Sequence, residues 1–241
     1  MDKGLSSDQP HIGTLASLFS EDLQVLSDVQ ALVELRIGGL ARFLSHIDLM
    51  RTAERCCARA GLAVVYSQGF NPHPRLSMPL PKGVGLASEG DVLALRLDNR
   101  LGWDSTAVAD ALSGQWPAGI EVLSVRLVDP KDSLYPHSVD YRMCLLEGSR
   151  QDEVHAVAER VLAAEHLVVE RMNPTKRHKA RHIDIRPYWH AVVLTDREVE
   201  VTCGIDNSGT VRVEEILRCL GVTQEDLDGP VRRTHIRWRL N

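Results

Sequence analysis

A chain of 241 residues is long enough for one large domain or two ordinary ones, and its 44% hydrophobic and 25% charged residues are the composition of a globular protein that folds in water. No apolar run approaches the ~20 residues of a membrane span, and no basic segment followed by an apolar block opens the chain. A cytoplasmic protein without a membrane partner is therefore expected. The net charge of −5 is misleading as a whole, because residues 1 to 30 carry −4 and leave the rest near −1 with its basic residues clustered. Local clustering, rather than the total, decides whether a polyanion docks.

Residues 1 to 30 are polar and acidic apart from the run Leu15 to Phe19, and read as a poorly structured acidic tail or a weakly held helix. Ala31 to Ile37 alternates as a strand does. Gly38-Gly39 bends the chain before Leu40 to Leu44 leads into a helix over 45–60. Ser45, followed three residues later by Asp48, is a capping-box start. Leu49, Met50, Ala53, Cys56, Cys57 and Ala60 recur at helical spacing as one buried stripe. Arg51, Arg55 and Arg59 sit four apart and form a basic stripe on another face, and Gly61 closes the helix.

Leu62 to Tyr66 reads as a strand, Gln68 to Gly90 as a proline-rich loop, and Asp91 to Leu97 as a strand. Asp104 to Leu112 reads as a helix and Ile120 to Val128 as a strand. That order, βαββαβ over 31–129, is a split-βαβ or ferredoxin-like unit. Residues 130–241 repeat it: strand His137 to Leu146, helix Gln151 to Glu165, strand Leu167 to Glu170, then a basic loop. Ile183 to Leu194 follows as one broken strand with Pro187 at a bulge or edge, then strand Glu198 to Gly204, helix Val213 to Leu220 and strand Val231 to Leu240. The expected fold is α+β, with two tandem ferredoxin-like halves.

Three groups of residues exceed what a merely stable fold requires. His46 stands at a helix start, where unpaired backbone N–H groups attract anions, with Arg42, Arg51, Arg55 and Arg59 nearby; it either serves a site or packs the helix start. Gly69-Phe70-Asn71-Pro72-His73-Pro74-Arg75 is a stiffened loop in which Phe70 offers an apolar anchor or a base-stacking face. His46, Asp48, Phe70, Asn71, His73 and Arg75 are the candidate recognition pocket. A hard-metal site of His46, Asp48 and His73 would need that loop to fold over the helix start.

The strongest basic cluster is Lys176, Arg177, Lys179 and Arg181, with Arg186 close behind. Period-2 alternation puts Arg233, His235, Arg237 and Arg239 on one face of the last strand. Arg42, Arg51, Arg55, Arg59, Lys176, Arg177, Lys179, Arg181, Arg233 and Arg237 are the candidate nucleic-acid contacts. The five cysteines show neither a C-x-x-C pair nor zinc spacing, so no metal or other cofactor is expected. G-x-S-x-G, P-loop, H-E-x-x-H and C-x-x-x-C-x-x-C motifs are all absent.

The run Arg42 to Arg51, then Tyr66-Ser67-Gln68-Gly69-Phe70-Asn71-Pro72-His73-Pro74, then Leu80-Pro81-Lys82-Gly83 with Ser88-Glu89, resembles the radical-SAM-linked family of uncharacterised bacterial proteins, domain of unknown function 2344. Ile183-Asp184-Ile185-Arg186-Pro187 and Arg233-Thr234 extend the likeness more loosely. The resemblance implies a radical SAM protein as partner, here on a separate chain. The fold pattern is also similar to that of endoribonucleases that process CRISPR repeats, which use a histidine near the first helix and a glycine-rich loop. His46 has a counterpart there; Gly204 and Gly209 do not make that loop.

The function expected is an accessory protein that recognises structured RNA, a tRNA or rRNA, for the radical SAM enzyme. Alternatives are an RNA-cleaving enzyme using His46 and a pure protein-interaction module.

Overall fold

The structure, a computed structural model, describes residues 12–18, 28–148, 151–172 and 180–240. The chain runs β1 (Ile12–Gly13), α1 (Leu15–Leu18), β2 (Asp28–Ile37), α2 (His46–Arg59), β3 (Leu76–Ser77), β4 (Ala87–Asp98), α3 (Ser105–Leu112) and β5 (Ile120–Val128). It continues through β6 (Leu134–Cys144), α4 (Gln151–Ala163), β7 (Val168–Met172), β8 (Ala180–Asp184), β9 (Trp189–Thr195), β10 (Glu198–Asp206), β11 (Gly209–Thr210), α5 (Val213–Leu220) and β12 (Arg232–Leu240). The fold is mixed α and β around one large, mostly antiparallel sheet. No helix among the described residues is long and apolar enough to cross a membrane.

The sheet order is β9–β10–β6–β12–β4–β2–β5, with β11 on the end of β10, β1 beside β12 and β3 beside β4. Each half pairs its own strands antiparallel, and the halves join where β12 lies parallel to β4, with Arg232 opposite Ala87 and Arg233 opposite Ser88. Side-chain alternation then divides the core. Ala31, Val33 and Leu35 of β2 and Leu93, Leu95 and Leu97 of β4 pack with Leu49, Ala53, Val108 and Leu112 of α2 and α3. Leu32, Val92 and Ala94 face the other way and join the cluster that holds Val154 and Ile216 of α4 and α5. Successive residues of a strand point to opposite faces, so the two helix pairs cover opposite sides of one continuous sheet.

Several elements differ from the sequence expectation. Leu62 to Tyr66 forms only isolated bridges, Val64 to Leu97 and Tyr66 to Pro74, and the next residues of β4, Leu95 and Ala94, pair with β3 instead. Ile183 to Leu194 is not one strand. β8 ends at Asp184 and pairs with β7 in a separate ribbon, a 3-10 turn holds Pro187, and β9 then enters the main sheet. The acidic tail also ends sooner than expected: Asp28 to Gln30 belong to β2, Ile12 and Gly13 pair with β12, and Leu15 is buried.

Candidate nucleic-acid interface and the junction cavity

The start of α2 forms as its sequence requires. Ser45 Oγ accepts from the Asp48 N–H at 3.2 Å and donates to Asp48 Oδ2 at 2.7 Å, so Ser45 is the N-cap and the Asp48 carboxylate holds its hydroxyl in place. At the other end Gly61 adopts φ +69°, and the Gly61 and Leu62 N–H groups donate to the Ala58 and Cys57 carbonyls. Leu49, Ala53, Cys56 and Cys57 are buried, which turns Arg51, Arg55 and Arg59 to the solvent side. Arg51 lies 3.7 Å from Asp48, a loose exposed pair, and Arg55 makes no ion pair among the described residues. Arg59 donates to the Gln115 carbonyl and, at 3.4 Å, to Cys56 Sγ. A shallow pocket of about 320 Å³ opens beside them, lined by Thr52, Arg55, Arg59, Gln115, Trp116 and Pro117. Gln115 and Trp116 were not expected there, since nothing local marks the loop after α3 as meeting α2.

His46 is the first residue of α2 and is half-buried, with Nδ1 enclosed and without a hydrogen-bond partner. The loop after β-bridge residue Tyr66 is closed at its base: Ser67 N–H donates to the His73 carbonyl at 2.8 Å, and Ser67 Oγ accepts from the His73 N–H at 2.9 Å. Phe70 is fully exposed, and Asn71, His73 and Arg75 are exposed with it. These residues therefore present a surface rather than the wall of an enclosed pocket. Among the described residues no group of three or more His, Cys, Asp or Glu is placed to hold a metal ion, so His46, Asp48 and His73 are not brought together as ligands.

The remaining basic candidates divide. Lys176, Arg177 and Lys179 lie outside the described residues. Arg181 is exposed on the ribbon, opposite Arg171. Arg233 corrects the expectation of an exposed basic strand face, because its side chain is 1% exposed and paired with Asp91. The cause is a register shift between Arg233 and His235, which breaks the alternation that assigned both to one face. Arg237 is held by Asp140, Nη1 to Oδ1 at 3.0 Å and Nη2 to Oδ2 at 3.1 Å.

Where the halves join, a second and larger cavity of about 600 Å³ lies between α5 and the segments Arg42-Phe43 and Leu80 to Leu86. Neither His46 nor Phe70 lines it. Lys82, almost fully buried, pins these segments together through Nζ, which donates to the Arg42 carbonyl at 2.6 Å and to the Gly83 carbonyl at 2.8 Å. Burial draws its ammonium down to about 8, against a smaller upward pull from Asp91. Arg42 stacks its guanidinium 4.3 Å over the Phe43 ring and donates to the Gly39 carbonyl at 2.8 Å. Tyr141 and Arg212 enter the same cavity from β6 and from the residue before α5.

Residues 32–214 match a family model described as an uncharacterized protein conserved in bacteria (DUF2344), and the chain belongs to that family. No curated protein matches the chain.

Proposed function

We propose that this protein is a cytoplasmic accessory factor that binds structured RNA, a tRNA or rRNA, through the exposed face of α2 and delivers it to a separately encoded radical SAM enzyme. The observation that carries the reading is the row Arg51, Arg55 and Arg59, spaced about 6 Å apart along the helix axis and ending beside Trp116. Guanidinium groups at that spacing supply phosphate contacts, and an indole at the end of the row supplies a stacking face for an unpaired base. Phe70, on its stiffened loop, offers a second aromatic surface. We infer in addition that each half is ferredoxin-like, a reading supported by the orders β5–β2–β4 and β12–β6–β10–β9. The radical SAM partner rests on the sequence resemblance alone.

The test is purification from the native host at low salt, sequencing of bound RNA, and titration of that RNA across a salt series. Binding should weaken steeply with salt, and Arg51→Ala/Arg55→Ala/Arg59→Ala should lower the log–log slope by roughly 2, for three phosphate contacts. A flat salt response, or a triple variant that binds as the wild type does, overturns the reading.

The unpartnered, enclosed Nδ1 of His46 favours one second reading, RNA cleavage with His46 as general acid or base. Intact transcripts after incubation with purified protein would exclude it.

A further inference from the structure

The cavity at the junction of the halves has the make-up of a ligand site distinct from the α2 face. Its volume of about 600 Å³ lies within the range of roughly 300–1,000 Å³ of small-molecule pockets. The interior wall is aliphatic, with Leu80 and Leu86 from one half and Val211, Leu217 and Val231 from the other. Polar groups are few and differ in sign. Arg42 and Arg212 contribute cationic side chains, and Glu214 is exposed on the wall. Val213 and Glu214, also in the wall, begin α5, whose positive end already has its own counter-charge, since Glu215 Oε2 accepts from the Arg212 N–H at 2.9 Å and Glu214 stands in the first turn.

Tyr141 is the independent sign that the cavity is built for a ligand. Only 5% of the residue is exposed, it lines the cavity, and its hydroxyl makes no hydrogen bond to any described residue. Its hydroxyl oxygen is not among the enclosed polar atoms that lack a partner, so it opens onto the cavity it lines and is free to donate to a ligand there. Burial pushes the pKa of the phenol up to about 12, so it stays a protonated donor at any ordinary pH. The site therefore offers donors and cations around an aliphatic interior.

We propose that this cavity binds an amphipathic monocarboxylate, its hydrocarbon body against Leu80, Leu86 and Leu217 and its carboxylate taken by Tyr141 and Arg212. Arg42 is already stacked on Phe43, and it adds charge at the Phe43 side of the cavity. Charge decides between an acid and a neutral alcohol of the same length: the two arginines that line the cavity outweigh the single Glu214.

The experiment uses the full chain and calorimetric titration with octanoate and, separately, 1-octanol. Octanoate should bind one per chain and about tenfold more tightly than octanol, the ratio expected for one charge-assisted hydrogen-bond set. Tyr141→Phe and Arg212→Gln should each weaken octanoate by about five- to tenfold and leave octanol within about twofold. Val84 lines the rim and is 65% exposed, so Val84→Trp can obstruct entry without disturbing the core, and it should weaken both probes. Thermal melting of each variant confirms that the fold persists. Equal affinity for acid and alcohol, octanoate binding that all three variants leave unchanged, or no saturable binding of octanoate overturns the proposal. RNA affinity through α2 is measured on the same samples, so loss of either activity is seen apart from the other.

Discussion

Arg233 and Asp91 form a two-pronged ion pair across the parallel junction of β12 and β4, with both side chains 1% exposed. Arg233 Nη2 donates to Asp91 Oδ2 at 3.0 Å, and Nε stands 3.0 Å from Oδ1 at an angle too bent for a hydrogen bond. Ser88 Oγ donates to the same Oδ1 at 2.7 Å. The pair sits where β12 lies parallel to β4, with Arg233 opposite Ser88, so it acts as a register pin where these strands join. Asp91→Ala should destabilise the protein by about 3–5 kcal/mol, because it leaves a buried guanidinium without a counter-charge. Asp91→Leu/Arg233→Met should regain much of that loss. Urea midpoints of the single and double variants check both; a single variant as stable as the wild type would remove the pin from the argument.

Lys82 gives stability a particular dependence on alkaline pH. Its ammonium is drawn down to about 8 in the fold against 10.5 when exposed, so between those values the unfolded chain holds the proton that the folded chain has lost. Stability from this group therefore rises as pH increases from 8 to 10.5, and below 8 the full cost of burying the charge remains, on the order of 3 kcal/mol. The difference in unfolding free energy between wild type and Lys82→Met should move in favour of the wild type between pH 7.5 and 10. A constant difference across that range would show that the lysine is not desolvated.

Asp184 is the corresponding acid case, on the ribbon. His166 beside it, together with the Leu167 and Arg186 N–H groups, holds its carboxyl down to about 2. A depressed carboxyl contributes stability that is present above the unfolded value and is lost as pH falls through the folded one. Protection of the Leu167 and Arg186 amides should therefore decline between pH 4 and 2, and His166→Ala should move the titration of the Asp184 carboxyl upward. Carbon-13 titration of the aspartates measures this directly.

The Ser45 cap at the head of α2 carries a smaller share. Ser45→Ala removes the acceptor of the Asp48 N–H and should cost about 1 kcal/mol in thermal or urea unfolding. Ser45→Asp should restore most of it. If α2 also presents the RNA surface, Ser45→Ala should leave the salt slope of RNA binding unchanged, since no phosphate contact is removed.

The sequence by itself determined what its near neighbours encode. Ser45 and Asp48 three residues apart mark the start of α2, and four-residue spacing separates its buried stripe from Arg51, Arg55 and Arg59. The limits of β5 and α5 follow from the same short periods. Tertiary structure decided where such elements meet. Arg233 looks like one member of an exposed basic row until a register shift in β12 turns it inward to Asp91, a partner 142 residues away. Tyr141, Arg212 and Arg42 share a cavity although they lie on three separate segments. Trp116 completes the arginine face from a loop beyond α3. The physical reason is range: helix and strand periods are set by side chains two to four residues apart, whereas a parallel junction, a buried ion pair and a cavity wall exist only once distant segments have packed.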